Sequence, residues 1–174
     1  MTISRERSGL VRWRVPLGFA TGAAALWLAH PTWSSLAAGA AVAASGESVR
    51  LWAAGHLEKN REVTSSGPYR WVRHPLYVGS AIMGVGIAIA AADLRVAALV
   101  ALYVAVVMTA AVRHEEAWLA ERFGGDYRDY SEGPVAPAGR PFSWHRALVT
   151  NREYRAAFGL LVAASLLAVK AALA

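Results

Sequence analysis

The chain has 174 residues, of which 56% are hydrophobic and 17% are charged, and its formal net charge at pH 7 is +6. This composition is too apolar and too sparsely charged for an ordinary soluble domain, so it favours a membrane protein that forms a single domain over residues 1–174. The chain has no cysteine, which excludes a disulfide, a thiolate zinc site and a cysteine nucleophile. The many arginines and alanines are typical of a GC-rich bacterial genome.

Five apolar segments predict an all-α, polytopic membrane protein with about five transmembrane helices. These segments are residues 15–29, 34–54, 76–92, 96–112 and 156–173. A helix needs about 20 residues to cross a hydrocarbon core of about 30 Å, so the shorter segments require a thin bilayer or helical extensions beyond their apolar part. A signal peptide is the alternative interpretation of the first segment, which follows a basic N-terminus.

Basic residues are distributed unequally between the two sides that these spans define. Four Lys or Arg residues before the first span, four after the second and seven after the fourth lie on one side, against Arg95 and Lys170 on the other. Because basic loops stay in the cytoplasm, we expect a bacterial inner-membrane protein with its N-terminus in the cytoplasm and its C-terminus outside. The arginines flank spans instead of presenting a surface with stacking aromatics, so no nucleic-acid partner is expected.

The third and fourth segments are joined by a very short turn, which predicts two antiparallel neighbouring helices. The start of the third helix and the end of the fourth should therefore lie side by side at the cytoplasmic face. Pro75 suits the first helical position, with His74 as the cap residue. The free amides and the positive end of the helix dipole, together with Arg73, favour a bound anion there.

The end of the fourth helix has the opposite electrostatic character. Glu115 and Glu116 add full negative charges to the exposed carbonyls that are expected there, so this end favours a cation. The two helix ends together suit a small zwitterion, such as the amino-acid portion of a cofactor.

Several motifs between Gly67 and Tyr130 occur in an informative order, namely GPYRWVRHPLYVG, GVG, EE and ERFGGDYRDY. In order and spacing they resemble the isoprenylcysteine carboxyl methyltransferase and phospholipid N-methyltransferase superfamily. The resemblance extends over about residues 46–141. It implies an integral-membrane enzyme that uses S-adenosylmethionine as cofactor and releases S-adenosylhomocysteine.

The resemblance, with the charge pattern around the third helix, also indicates which residues bind the cofactor. The cofactor-binding positions are Arg73, His74, Pro75, Tyr77, Gly79, Gly84, Gly86, Glu115 and Glu116. Adjacent helical residues point about 100° apart, so we expect one glutamate to bind the cofactor and the other to pair with an arginine. Two alternatives stay open: Tyr77 as an anchor at the membrane interface, and the glycines as positions of close helix packing.

The expected methyl acceptor is a lipophilic small molecule, either an isoprenoid-type carboxylate or a lipid amine, that enters from the membrane lipids of the cytoplasmic leaflet. Tyr127, Tyr130 and Arg140 in the polar tail are predicted to lie near its polar end. The aromatic rings of this tail have an equal alternative role, which is to seat the tail on the bilayer surface. His74, His114 and Glu116 are possible bases, and no catalytic residue is selected among them.

Other polar residues have structural interpretations. Glu47 and Arg50 share a helical face, which favours an internal ion pair that orients the second helix over a substrate contact. The histidines outside the motif have no spacing typical of a metal site, so no metal is expected. A membrane reductase that uses NADPH and a noncatalytic scaffold or transport subunit are the alternative functions, and the sequence leaves the oligomeric state open.

Overall fold

The computed structural model describes residues 9–133 and 139–174. Arg5 and Arg7 of the basic N-terminus, and residues 134–138 of the polar tail, lie outside the described residues. The described part is predominantly helical and contains no strand. Its longer helices are α1 (Gly9–Leu28), α2 (Trp33–His56), α3 (Pro75–Ala91), α4 (Leu94–Phe123), α5 (Gly125–Glu132) and α6 (Tyr154–Leu173).

The five long helices agree with the five apolar segments, with one large difference at the end of α4. The apolar segment ends at residue 112, whereas the helix continues to Phe123. The added residues, such as Glu, Ala, Leu and Arg, are good helix formers, and Gly124 then ends the helix with φ of 51°. The carbonyl end of α4 therefore lies about two turns beyond Glu116, and the prediction that the helix ends beside the acidic pair was wrong.

Two of the helices, α4 and α6, are long and apolar enough to cross a membrane. The apolar parts of α1 and α3 are shorter, and cover Val15–Leu28 and Pro75–Ala91. Large apolar side chains such as Trp27 and Phe158 are 84% and 67% exposed, as expected for surfaces that face lipid. The chain is thus an all-helical, membrane-associated protein with two candidate spans, and the other three expected spans are not confirmed.

Helices α2 and α3 pack closely through glycines. A Cβ atom at Gly46 would lie 2.6 Å from the Gly79 carbonyl oxygen, and one at Gly86 would lie 2.5 Å from the amide nitrogen of Ala43. Neither position has room for a side chain, because backbone atoms of the other helix occupy that space. Small residues allow this approach in membrane helix pairs, which explains why both helices are rich in them.

The turn between α3 and α4 fixes one end of the bundle. Ala92 adopts a left-handed conformation with φ of 50°, and the Asp93 side chain then caps α4 by accepting from the Arg95 amide. The His30 amide, between α1 and α2, donates to the Ala91 carbonyl at 2.8 Å. The antiparallel hairpin expected from the short turn is confirmed, so the start of α3 lies at the opposite end of the bundle from this turn.

Candidate functional site

Helix α3 begins as the sequence predicts, with Pro75 at the first helical position and His74 as the cap residue. The amides of Tyr77 and Val78 both donate to the His74 carbonyl at 3.1 Å. The start of α3 therefore offers fewer free amides to an anion than expected, and side chains must supply most of the binding at this site.

His74 contacts the acidic pair of α4. Its Nε2 lies 3.1 Å from Glu116 Oε1, and its side chain is 13% exposed. The same carboxylate oxygen lies 3.4 Å from Arg73 Nη1. The Tyr77 ring packs near the imidazole, with 6.0 Å between ring centroids. The predicted meeting of the start of α3 with the acidic pair is confirmed, because the continuation of α4 as a helix brings Glu116 to this position.

The two glutamates have different surroundings. Glu116 is committed to Arg73 and His74, whereas Glu115 is 45% exposed and its Oε2 lies 4.0 Å from His74 Nδ1. This difference agrees with the expectation that one member of the pair binds an arginine. Glu115 is the carboxylate with more capacity for a ligand.

Helix α5 places Tyr127 and Tyr130 near this cluster. The Tyr130 hydroxyl donates to the Tyr69 carbonyl at 2.8 Å, and burial raises the pKa of Tyr130 to about 12. The Tyr127 side chain is buried, and its hydroxyl makes no hydrogen bond of good geometry in the described part of the chain, although Arg73 lies close enough to interact with it. Burial, followed by the charge of Glu116, raises the pKa of Tyr127, and Arg73 opposes that rise. Tyr127 thus lies within electrostatic range of the Arg73 and Glu116 pair.

A polar cavity of about 300 Å³ adjoins the cluster. Its walls include Tyr69, Arg70 and Arg73 from the segment before α3, and Tyr130 from α5. Arg73 therefore faces the cavity and pairs with Glu116 at the same time. A cavity of this size at a junction of helices suits a small polar ligand.

The three glycines predicted to bind the cofactor lie against neighbouring helices. A Cβ atom at Gly79 would lie 2.5 Å from Arg50 Cγ of α2, and one at Gly84 would lie 3.0 Å from Val100 Cγ1 of α4. Gly86 faces Ala43 of α2, as described above. These contacts favour the alternative in which the glycines serve close packing.

Arg140 is placed by ion pairs with the loop that follows α2. Its Nη1 lies 2.9 Å from Glu62 Oε1 and 3.4 Å from Glu58 Oε1. Arg146 joins the same network through a 2.8 Å contact with Glu58. The Phe142 ring lies over Gly55. The segment before α6 is therefore held against the end of α2. The Arg140 guanidinium is already paired with glutamates of the loop after α2.

A second charged cluster is buried between α2 and the start of α6, and only part of it is predictable from the sequence. Arg50 Nη2 lies 2.6 Å from Glu153 Oε1, and Arg50 Nε lies 3.8 Å from Glu47 Oε2. The ion pair between Glu47 and Arg50 was predicted and is present. Glu153, which directly precedes α6, could not be assigned as a partner because only tertiary packing brings it beside α2.

Two curated relatives are similar to the chain over most of its length. The cobalt-zinc-cadmium resistance protein CzcN of Cupriavidus metallidurans is 32% identical over 133 residues, which cover 70% of this chain and 58% of that protein. The nickel-cobalt-cadmium resistance protein NccN of Alcaligenes xylosoxydans xylosoxydans is 30% identical over 138 residues, which cover 74% of this chain and 62% of that protein. The chain thus spans about three fifths of the length of these relatives. No solved structure matches the chain.

A family model described as phospholipid methyltransferase matches residues 40–126, which is half of the chain. The match includes α3 and the contacts of Arg73 and His74 with Glu115 and Glu116. It ends before Tyr127, and the segment that contains Glu153 lies beyond it. The chain therefore belongs to the phospholipid methyltransferase family.

Proposed function

We propose that the chain transfers a methyl group from S-adenosylmethionine to a lipophilic acceptor at the cytoplasmic face of a membrane. The observation that carries this proposal is the 3.1 Å contact between His74 and Glu116. It unites the start of α3 and the acidic pair of α4 in one cluster, and both lie within the region matched by a methyltransferase family. Members of this family generally use S-adenosylmethionine.

The side chains of the cluster fit the charged portion of that cofactor. Glu115 has a half-exposed carboxylate for an ammonium group, and Arg73, also half-exposed, has guanidinium donors for a carboxylate. We assign these two side chains to the amino and carboxyl groups of the cofactor, and His74 and Tyr77 to the wall beside them. When bound, the cofactor supplies a methyl group on a positively charged sulfur.

The residues of the chain act in this proposal mainly by binding and orientation. Methyl displacement needs the nucleophile, the methyl carbon and the sulfur in line, so holding two molecules in that geometry provides most of the rate. The Tyr127 ring of α5 is buried and the Tyr130 ring is half-buried near the cluster, and in this proposal they limit the access of water.

We also propose that all five long helices cross the bilayer, with the N-terminus in the cytoplasm. The support is the concentration of basic residues on one side of the spans. The His74 and Glu116 cluster lies at the end of the α3 and α4 hairpin opposite the Ala92 turn, and in the proposed topology this end is on the cytoplasmic side. A lipophilic acceptor then reaches the cluster laterally from the lipid, and the cofactor reaches it from the cytoplasm.

Isothermal titration of the purified protein with S-adenosylhomocysteine tests the cofactor assignment. We expect saturable binding of one ligand per chain and no saturable binding of NADPH in a parallel titration. A protein that binds NADPH, and does not bind S-adenosylhomocysteine at millimolar concentration, is a reductase of the kind considered above. Binding of neither ligand favours a noncatalytic protein.

The names of the two relatives support a second, physiological proposal. Both are named for resistance to cobalt and cadmium, and we propose that methylation of a membrane lipid by this chain alters metal tolerance. The test is growth on cobalt or cadmium of a strain that lacks the gene, complemented with the parent or with Glu115→Gln. If both complemented strains grow equally well, metal tolerance does not depend on the methyltransferase site.

A further inference from the structure

A second cavity of the described structure is an apolar groove on the hairpin of α3 and α4. It has a volume of about 470 Å³ and extends from the middle of α3 to the turn between the two helices. Its lining includes small side chains from both helices, among them Ala81 and Ala88 of α3 and Ala97 of α4. Val85, which also lines it, is 51% exposed, so the groove lies on a surface of the hairpin that faces lipid. No residue assigned to the cofactor or to the methyl acceptor lines this groove.

The groove has a firm base because α3 and α4 touch each other there. A Cβ atom at Gly84 of α3 would lie 3.0 Å from Val100 Cγ1 of α4. Val100 lines the groove and packs against a buried cluster that includes Ala90 and Val96. Side chains that border unfilled space lack dispersion contacts on one side, so a hydrocarbon ligand in the groove would supply contacts that the short alanines do not make.

The dimensions of the groove fit one hydrocarbon chain of one leaflet. Ala81 and Ala92 are eleven positions apart, which is about 16 Å of helix at about 1.5 Å per residue. Half of a hydrocarbon core of about 30 Å is about 15 Å. A helix of that length, about 10 Å wide with its side chains, occupies about 1,000 Å³ or more, which is over twice the volume of the groove. An extended acyl chain therefore fits the groove better than a helix of a second copy does.

Two basic side chains surround the end of the groove at the turn between α3 and α4. The Asp93 carboxylate, which is 10% exposed, lies 2.8 Å from Arg95 Nη2 and 3.2 Å from His30 Nδ1. The Arg95 and His30 side chains are 62% and 69% exposed, so they cover the carboxylate and face outward. Lys170, the other basic residue expected on this side, donates to carbonyls at the end of α1. A ligand at this end thus meets the exposed Arg95 guanidinium, which suits a phosphate group.

We propose that the groove binds one glycerophospholipid of the outer leaflet, with an acyl chain along the groove and its phosphate beside Arg95. The inference requires that α3 and α4 cross the bilayer as proposed above, and it does not depend on methyl transfer. The His74 and Glu116 cluster lies at the opposite end of the hairpin, so this lipid is not the methyl acceptor. It completes the packing of the hairpin where small side chains leave space.

Photocrosslinking of the purified protein in uncharged detergent micelles tests the proposal. The probe is a phosphatidylglycerol with a diazirine near the middle of one acyl chain, and mass spectrometry maps the labelled residues. We expect label concentrated between Ala81 and Val104. Excess dioleoylphosphatidylglycerol should remove that label, whereas dioleoylglycerol, which has the same chains and no phosphate, should not. Arg95→Gln should lower the labelling by about fivefold or more. Arg122→Gln, a matched change at an exposed position near the other end of α4, should not.

A matched pair of alanine substitutions tests the groove itself. Ala97→Phe places a ring in the groove, and Ala98→Phe places one at the next position of α4, which is exposed and does not line the groove. We expect Ala97→Phe to lose most of the label and Ala98→Phe to keep it. If Ala97→Phe does not remain folded in size-exclusion chromatography, Ala88→Phe and the competition experiment on the parent decide.

Four results would overturn the proposal. These are even labelling of all lipid-facing helices, equal competition by dioleoylglycerol, equal labelling of Ala97→Phe and Ala98→Phe, and a dimer in which a second copy protects the groove from the label.

Discussion

Glu116 of α4 and His74 at the start of α3 are joined by a 3.1 Å contact between a carboxylate oxygen and Nε2. The contact depends on two local features. The short turn at Ala92 makes the two helices antiparallel neighbours, and α4 continues as a helix well beyond its apolar part. Arg73 approaches the same oxygen, so Glu116 is held by two basic side chains while Glu115 stays half-exposed.

The first prediction separates these two glutamates. Glu115→Gln keeps the shape of the side chain and removes the charge assigned to the cofactor, so S-adenosylhomocysteine should bind more weakly by about 1 to 3 kcal/mol. The melting temperature should stay near that of the parent, because Glu115 has only a 4.0 Å contact with His74. Isothermal titration and a thermal melt measure the two quantities.

Glu116→Gln should behave differently. The change leaves Arg73 and His74 without their shared carboxylate, so the melting temperature should fall together with cofactor affinity. If Glu115→Gln binds the cofactor like the parent, Glu115 does not contribute to cofactor binding. This conclusion holds whatever the behaviour of Glu116→Gln.

The sequence predicts the five long helices and the meeting of the start of α3 with the acidic pair because both depend on local signals. Apolar segments define the long helices, and a proline after a histidine defines the start of α3. The end of α4 was misjudged because hydrophobicity stops at residue 112, whereas helix propensity continues to Phe123. Glu153 was missed for another reason: its partner Arg50 is distant in sequence, and only tertiary packing brings their charges together.

The second prediction concerns the Tyr127 hydroxyl. This group is buried and makes no hydrogen bond of good geometry in the described residues, although Arg73 lies nearby, so Tyr127→Phe removes a poorly satisfied polar atom. We expect the free energy of unfolding to be unchanged or to rise by up to about 1 kcal/mol. If the hydroxyl contacts a ligand, the rate of methyl transfer should fall at the same time. A stability decrease above about 1 kcal/mol would instead show that the hydroxyl has a structural partner.

The third prediction tests the packing role of the glycines. Gly86→Ala places a methyl group 2.5 Å from the Ala43 amide nitrogen, in contact with backbone that cannot move easily. We expect destabilisation of about 1 to 3 kcal/mol from overpacking. Gly159→Ala is the control, because a Cβ atom there meets nothing within 4 Å, and it should be neutral or slightly stabilising. Thermal melts measure stability, and titration with S-adenosylhomocysteine measures cofactor affinity of the folded protein. Lost affinity in a fully stable Gly86→Ala protein would favour a cofactor role.

The fourth prediction concerns alkaline pH. Burial raises the pKa of Tyr130 to about 12, against an ordinary value of about 10. The raised value means that the folded protein holds this proton more tightly than the unfolded chain. The contribution to stability is therefore complete below about pH 10 and is lost as the pH rises toward 12. Tyr130→Phe should show a smaller loss of stability between these pH values, measured by chemical unfolding. If both proteins lose the same amount of stability, a group other than Tyr130 causes the sensitivity to alkaline pH.

The last prediction concerns topology, and the chain is well suited to test it because it has no cysteine. Single cysteines are introduced at an exposed position in the loop after α2, as Lys59→Cys, and at the C-terminus, as Ala174→Cys. The unequal distribution of basic residues places the loop in the cytoplasm and the C-terminus outside. A membrane-impermeant maleimide should therefore label Ala174→Cys in intact cells and label Lys59→Cys only after permeabilisation. If both sites react only after permeabilisation, both lie in the cytoplasm. An even number of spans then separates them, so at least one of the long helices does not cross the bilayer. Reversed labelling would place the His74 and Glu116 cluster on the outer face, where S-adenosylmethionine from the cytoplasm cannot reach it.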